Sequence, residues 1–127
     1  MNGTLRTAAQ AAPHVIDGGW GTLNWLANRE FTGNQGVTVG RVVIRKGQQN
    51  ARHRHNTCEE VLYLLKGRLR HTVGDESVDM APGDTISIDA GVFHNGINIG
   101  DEDADMIVVY STGERDFELE DPSKENE

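Results

Sequence analysis

The chain has 127 residues, a formal net charge of −8 at pH 7 and one cysteine, Cys58. This length allows one domain with one core, the lone cysteine excludes an intrachain disulfide framework, and the acidic balance argues against nucleic-acid binding. The N-terminal stretch lacks the apolar core of a signal peptide, and no apolar run approaches the about 20 residues of a membrane-spanning helix. We therefore expect a cytoplasmic protein that binds neither nucleic acid nor membranes.

The predicted elements are strands separated by glycine-rich turns. Residues 1–36 are expected to form an arm or edge strands packed on the main domain, with both tryptophans inside Gly18–Leu26. Segments rich in β-branched and aromatic residues then recur along the chain: Val37–Arg45, Glu60–Leu65, Arg68–Val73, Thr85–Ile88 and Asp105–Thr112. Strands at roughly ten-residue spacing, with no convincing helix between them, predict an all-β sandwich or barrel over residues 37–113.

The remaining residues form an acidic tail. Residues 114–127 carry seven acids and two bases, a net charge of −5, whereas residues 1–113 carry −3. The tail is polar and poor in apolar residues, so we expect its end to be frayed.

A histidine pair stands in the stretch "ARHRHNTCEE", Ala51–Glu60. Side chains of an extended chain alternate between two faces, so His53 and His55 share a face, and Glu59 and Glu60 lie on opposite faces. Two imidazoles and a carboxylate on one face suit a transition metal ion. Two surface histidines on an exposed strand would give the same local pattern, so the pair alone leaves both readings open.

Two longer motifs extend this pattern beyond the histidine pair. The first consists of Gly47, His53, His55, Glu60 and Gly67, separated by five, one, four and six residues. The second consists of Gly83, Asp89, Gly91, His94 and Asn98, and the sequence "PGD" at residues 82–84 opens it. From about Val37 to Tyr110, the chain resembles the cupin superfamily, whose two motifs have this form, order and spacing.

The resemblance implies a double-stranded β-helix, a small jelly-roll barrel of two facing sheets. It also implies one divalent transition metal ion (Fe, Mn, Ni or Zn) with four protein ligands: His53, His55, Glu60 and His94. Asp89 departs from the pattern, because the second motif usually has proline there. Gly91 can still supply the turn, and Asp89 is expected to bond to its own turn or, less simply, to support a metal ligand.

Three further residues are candidates for the pocket. His71 falls on the apolar face of its strand and could act as acid or base, or could be satisfied by a neighbouring backbone group. Arg41 would bind an anionic substrate if its face is the inner one, and would be an exposed or interface arginine otherwise. Tyr110 could offer its hydroxyl to substrate or be a core aromatic. Cys58 is expected to be a small buried hydrophobe.

The leading functional hypothesis is a metal-dependent enzyme that acts on a small oxygenated substrate. Its reaction would be isomerisation, cyclisation or elimination with the metal as Lewis acid, or dioxygenation at an iron-like ion. The alternative is a cupin that binds or senses a small molecule or metal without turnover, so whether the protein is an enzyme stays open. A homodimer is expected, because the outer face with Val61, Tyr63 and Leu65 needs a cover.

Overall fold

The computed structural model describes residues 1–124 and is built mostly of strands. Two short helices, α1 (Ala8–Ala11) and α2 (Arg29–Thr32), and a 3-10 turn at Ala12–His14 lie in the first third of the chain. The strands are β1 (Ile16–Asp17), β2 (Gly21–Ala27), β3 (Thr38–Ile44), β4 (His53–Arg54), β5 (Glu60–Lys66), β6 (Leu69–Val73), β7 (Glu76–Met80), β8 (Thr85–Ile88), β9 (His94–Asn98), β10 (Ala104–Tyr110) and β11 (Glu118–Leu119). Residues 125–127 of the acidic tail lie outside the described part.

The strands form two antiparallel sheets. One has six strands in the order β1-β2-β3-β10-β5-β8, and the other has five in the order β11-β4-β9-β6-β7. Strands that follow each other in sequence often belong to different sheets, as in a jelly roll. The prediction of an all-β, double-stranded β-helix is confirmed.

Alternation along the strands places one face of each sheet in the core. In β3, Thr38, Gly40, Val42 and Ile44 are buried, and the residues between them are exposed or half-buried. A side chain at Gly96 of β9 would bring a Cβ within 3.0 Å of Ile44 Cδ1 in the other sheet. Glycine at this position therefore lets the two sheets approach each other closely.

Two strands that the sequence pattern did not predict have polar sequences. β7 is an edge strand with four of its five residues exposed, so it needs no apolar alternation. β9 has the sequence "HNGIN" and is mostly buried. Its two asparagines are satisfied by main-chain oxygens, since Asn95 Nδ2 donates to Asn50 O at 2.8 Å and Asn98 Nδ2 to Ile44 O at 2.9 Å. Buried amides are tolerated in a strand when they are hydrogen-bonded in this way.

Segments on both sides of the barrel extend its sheets. Strand β2 pairs with β3 from Gly21 to Ala27, and its Trp25 packs edge-on against Tyr110 with ring centroids 5.9 Å apart. At the other end of the chain, β11 pairs with β4, which places Leu119 opposite His53. The tail is therefore part of the five-stranded sheet, where it lies next to β4, the strand that carries His53.

The outer surface has one row of apolar side chains on β5. Val61, Tyr63 and Leu65 are 38%, 43% and 46% exposed, as expected for the face that points away from the core. No helix within residues 1–124 is both long and apolar enough to cross a membrane.

Candidate metal centre

The four residues of the two motifs meet inside the barrel. His53, His55, Glu60 and His94 each offer a ligand atom, and these atoms lie within 4.8 Å of one another. All four residues are only 2–4% exposed. His53 begins β4 and is paired in register with His94 at the start of β9, so the second motif reaches the first across the five-stranded sheet. Glu60 arrives from the other sheet, at the start of β5.

Main-chain oxygens fix the orientation of the three imidazoles. Each ring donates its Nδ1–H to a carbonyl oxygen: His53 to Ala51 at 2.7 Å, His55 to Asp116 at 2.6 Å and His94 to Val92 at 2.8 Å. A proton on Nδ1 leaves the lone pair on Nε2, which is the tautomer that a metal ligand needs. The three ring centroids lie 4.5–5.4 Å apart.

The carboxylate of Glu60 completes the group. Its Oε1 lies 2.9 Å from His94 Nε2 and 3.3 Å from His55 Nε2. Burial alone would raise the pKa of Glu60, but the two imidazoles of His55 and His94 beside its carboxylate outweigh this effect and hold the pKa well below its ordinary value. Glu60 is therefore a carboxylate at neutral pH.

The donor set fits a metal ion. His55 Nε2 is buried and has no hydrogen-bond partner within residues 1–124, because its approach to Glu60 lacks the geometry of a hydrogen bond. A buried polar atom without a partner is costly, and a cation among the four donors would remove that cost. Three imidazoles and one carboxylate suit divalent iron, manganese, nickel or zinc.

His71 and Tyr110 line the same small cavity as His53, Glu60 and His94. The volume open to water there is about 20 Å³, which is room for one water molecule. The His71 ring stacks on His94, with centroids 5.7 Å apart, and its Nδ1 donates to Thr72 O at 3.1 Å. Burial lowers the pKa of His71 to about 4, so this ring is neutral at pH 7. Tyr110 meets His55 edge-on at 4.9 Å.

Arg41 lies on the outside of the barrel, so it does not line this cavity and the expectation that it binds substrate there is wrong. It alternates with Gly40 and Val42, whose side of β3 is the buried one. Its guanidinium pairs with Asp105 of β10 through Nε–Oδ1 at 2.9 Å and Nη2–Oδ2 at 2.6 Å. The sequence pattern identified the residues that share a face with Arg41 but left open which face turns inward.

The residues near the four donors in sequence differ in their exposure to solvent. Glu59 is exposed and Cys58 is buried, and burial raises the pKa of the Cys58 thiol. Asp89 is exposed. The turn beside it is made by Gly91, which has φ +82° and donates its N–H to His55 O at 2.8 Å. A glycine adopts this left-handed conformation without strain, so the turn forms without the usual proline.

Two residues at the site were missed in the sequence because they lie in the acidic tail. The Phe117 ring stacks on His53, with centroids 4.8 Å apart and an interplanar angle of 26°. Asp116 supplies the carbonyl that orients His55, and its carboxylate accepts hydrogen bonds from the backbone of Asn56 at 2.7 Å and Thr57 at 3.0 Å. One aromatic residue among acids was the only signal that this segment packs against the barrel.

Comparison of the sequence with known proteins agrees with this geometry. The sequence model of the Cupin domain family matches residues 40–110. Polyketide synthase CurC of Streptomyces cyaneus is 28% identical over 87 residues, which are 68% of this chain and 56% of CurC. An uncharacterized protein of Methanocaldococcus jannaschii is 33% identical over 63 residues, which are 50% of each chain. The chain therefore spans about half the length of these two relatives.

Comparison of the structure with solved structures gives the same fold. Oxalate decarboxylase of Bacillus subtilis superposes with a TM-score of 0.77 at 19% identity, over 84% of this chain and 29% of the decarboxylase. Oxalate oxidase in complex with glycolate superposes with a TM-score of 0.73 at 24% identity, over 79% of this chain and 55% of the oxidase. At these identities the likeness shows the shared barrel.

Proposed function

Because this chain belongs to the cupin family, we propose that it is a mononuclear metalloenzyme that acts on a small oxygenated substrate. His53, His55, Glu60 and His94 would hold one divalent ion, with iron, manganese, nickel and zinc all acceptable to these donors. The observation that carries the proposal is the meeting of four donor atoms within 4.8 Å of one another, with each imidazole oriented by a hydrogen bond from Nδ1 to a main-chain carbonyl. The oxalate decarboxylase of Bacillus subtilis, a solved structure with the same fold, has Mn(II) centres, which supports a metal in this barrel.

The chemistry divides between the ion and the residues around it. The metal, when bound, would polarise a carbonyl or hydroxyl oxygen of the substrate. His71 is neutral, and its Nδ1–H is donated to Thr72 O. Its Nε2 can therefore accept a proton from a substrate carbon or oxygen next to the polarised carbonyl or hydroxyl. The Tyr110 hydroxyl would hold a substrate oxygen in place. These roles suit isomerisation, cyclisation or elimination, and a dioxygenase reaction uses the same donor set.

The metal is tested first. The double variant His53→Ala, His94→Ala should lose stoichiometric metal, as measured by elemental analysis after gel filtration. Wild-type protein purified in the same way should retain about one ion per chain. If the double variant keeps a stoichiometric ion, the ligand assignment fails.

Turnover is tested separately. Metal-loaded protein should consume a candidate substrate, with or without dioxygen, and Glu60→Ala should abolish this consumption.

The second candidate function is a binding or sensing protein without turnover. The small size of the cavity at the donors favours it, since about 20 Å³ admits little besides water. A metal-loaded protein that binds small acids but never consumes them would support this second function.

The exposed apolar row on β5 suggests how the protein assembles. We propose a homodimer, because the outer face of β5 presents Val61, Tyr63 and Leu65 in a row. A monomer in sedimentation at micromolar concentration would contradict it. The protein is proposed to work in the cytoplasm.

A further inference from the structure

A cavity much larger than the one at the donors lies on the far side of Phe117. Its volume is about 450 Å³, and Trp25 of β2, Arg29 of α2 and Phe117 are among its walls. Cavities of this size bind small organic molecules, whereas the space beside the donors, about 20 Å³, holds one water molecule. We refer to the larger one as the outer cavity. A molecule that moves from it to the donors must pass whatever lies between the two.

Two aromatic rings lie between the outer cavity and the donors. Phe117 lines the outer cavity and stacks on His53, with ring centroids 4.8 Å apart, and its centroid is 6.2 Å from that of His55. Tyr110 lines the donor cavity, and its ring lies 4.9 Å from that of His55 and 5.9 Å from that of Trp25. Each ring therefore contacts a metal ligand and also lines the outer cavity or contacts a residue that does.

Of the two rings, Phe117 is the one that can move without disrupting a sheet. Tyr110 ends β10, is paired with Thr38 of β3 and Glu60 of β5, and is 3% exposed. Phe117 lies in the segment between β10 and β11 and is half-buried. Its side chain has no polar atom, so packing contacts hold it on His53. Rotation of such a side chain is fast compared with the opening of a sheet.

The backbone that carries Phe117 is fixed on both sides of the ring. Before it, the main-chain oxygen of Asp116 accepts a hydrogen bond from His55 Nδ1 at 2.6 Å. After it, Leu119 of β11 is paired in register with His53 of β4. The ring can therefore turn away from His53 while the tail stays attached to the barrel.

A second approach to the donors is closed by hydrogen-bonded amides. A groove of about 580 Å³ lies there, and Asn50 lines both this groove and the donor cavity. Asn50 Oδ1 accepts from Gly96 N at 2.9 Å, and its main-chain oxygen accepts from Asn95 Nδ2 at 2.8 Å. Opening this side would leave buried donors of β9 without these acceptors, which is costly. The approach past Phe117 requires only the loss of packing contacts.

We propose that Phe117 is the entrance residue of the metal centre and determines which molecules reach the four donors. With its ring on His53, the centre is closed to anything larger than water, and small organic molecules pass from the outer cavity when the ring turns away. The proposal deepens the proposed function and rests on it for the bound ion. An entrance residue obstructs entry and exit equally, so its replacement should change exchange rates and leave equilibrium affinity unchanged.

The first experiment measures exchange of Zn(II). Release from loaded protein into an excess of chromophoric chelator gives the rate, and competition at equilibrium gives Kd. Phe117→Ala should speed release by about tenfold, because opening no longer breaks an aromatic contact, and Phe117→Tyr, which keeps the ring, should release at the wild-type rate. Kd should change by less than about threefold in both variants, since entry and exit change together. A rise in Kd that matches the faster release would mean that Phe117 supports His53, and would overturn the proposal.

Two variants separate the ring from its surroundings. Leu119→Ala loosens β11 and leaves the ring in place, and Asn50→Ser shortens the side chain at the groove and keeps an oxygen. Each should change the release rate by less than about threefold, because the Phe117 ring still closes the centre. Acceleration by Leu119→Ala equal to that of Phe117→Ala would assign closure to the attachment of the tail. Equal acceleration by Asn50→Ser would assign entry to the groove, and either result contradicts the role of Phe117.

The second experiment uses metal-free protein and diethyl pyrocarbonate, which modifies accessible imidazoles. His14 is exposed and serves as the internal reference, whereas His53 is 3% exposed. In wild type, His53 should react far more slowly than His14. Phe117→Ala should raise the rate of His53 relative to His14 by about tenfold, because the ring that covers it is gone. Peptide mass spectrometry measures both rates. Equal reactivity of the two histidines in wild type would show an open centre and would overturn the proposal.

The two experiments distinguish failure of the entrance residue from failure of the proposed function. If wild-type protein holds no metal but Phe117→Ala exposes His53 to the reagent, the metalloenzyme proposal fails and the entrance stands. If metal binds but Phe117→Ala matches wild type in release rate and in His53 modification, the entrance fails and the metal centre stands.

Discussion

Glu59 and Glu60 are adjacent in sequence and have opposite environments. Glu60 is 4% exposed and contacts two imidazoles, whereas Glu59 lies on the exposed side of the chain. Replacing each in turn by glutamine removes one negative charge and keeps the shape of the side chain. The pair of variants therefore compares the same chemical change at a ligand position and at a surface position.

The expected size of the effect follows from electrostatics. Two unit charges about 4 Å apart interact by roughly 4 kcal/mol at the effective dielectric constant of a protein site. The amide oxygen of glutamine would recover part of the loss, so we expect Glu60→Gln to weaken metal binding by about 2–4 kcal/mol. At 1.4 kcal/mol for each factor of ten, this is roughly a 30- to 1,000-fold increase in Kd. Glu59→Gln should change Kd by less than about twofold, since exposed charges contribute little.

The assay is competition between the protein and a chromophoric chelator for Zn(II) or Mn(II) at pH 7.5. Thermal unfolding of the metal-free variants controls for loss of the fold. A Glu60→Gln protein that binds metal as tightly as wild type would refute the reasoning. So would equal weakening by the two substitutions, because the effect would then come from net charge alone.

Three other predictions concern the stability of the core, the pH dependence of stability at Asp116 and the outward position of Arg41. Leu64→Ala, at a fully buried position, should lower the free energy of unfolding by about 2–5 kcal/mol in urea, and Val78→Ala, exposed on the edge strand β7, by about 0.5 kcal/mol or less. Burial would raise the pKa of Asp116, but the hydrogen bonds from Asn56 and Thr57 lower it from 3.8 to about 2. Its contribution should therefore be complete above pH about 4 and be lost as pH falls toward 2, and acid titration of Asp116→Asn should show a flatter profile in that window. Arg41→Met should leave metal content unchanged, since Arg41 lies outside the barrel, and a change in metal content would contradict the placement of that side chain.

The barrel and the grouping of the four donors could be predicted because both depend on regular spacing. Strand alternation distinguishes Glu60 from Glu59 without any structure, and the structure places them as that alternation requires. The fourth donor, His94, is distant in sequence and could be found only through the resemblance of the second motif. It reaches the site because β4 and β9 pair with His53 opposite His94.

The remaining features depend on tertiary contacts that leave little pattern in the sequence. The face of Arg41 could not be decided because both faces of β3 carry apolar residues, and the choice is made by packing against the second sheet. Strand β9 escaped prediction because its asparagines are satisfied by distant main-chain oxygens. Phe117 was hidden in an acidic segment, where composition gives no sign that the ring stacks on His53.

The origin of the cavity walls bears on how proteins of this kind diversify. All four metal donors lie inside residues 40–110, the region that matches the family. Trp25, Arg29, Arg115 and Phe117, which line a cavity of about 450 Å³ next to the metal centre, come from segments before and after this region. Under the proposed function, mutations in these flanking segments would change the molecule that is bound and leave the four donors in place. A barrel arranged in this way would change its ligand preference through substitutions in its N- and C-terminal segments, without any change to its metal donors.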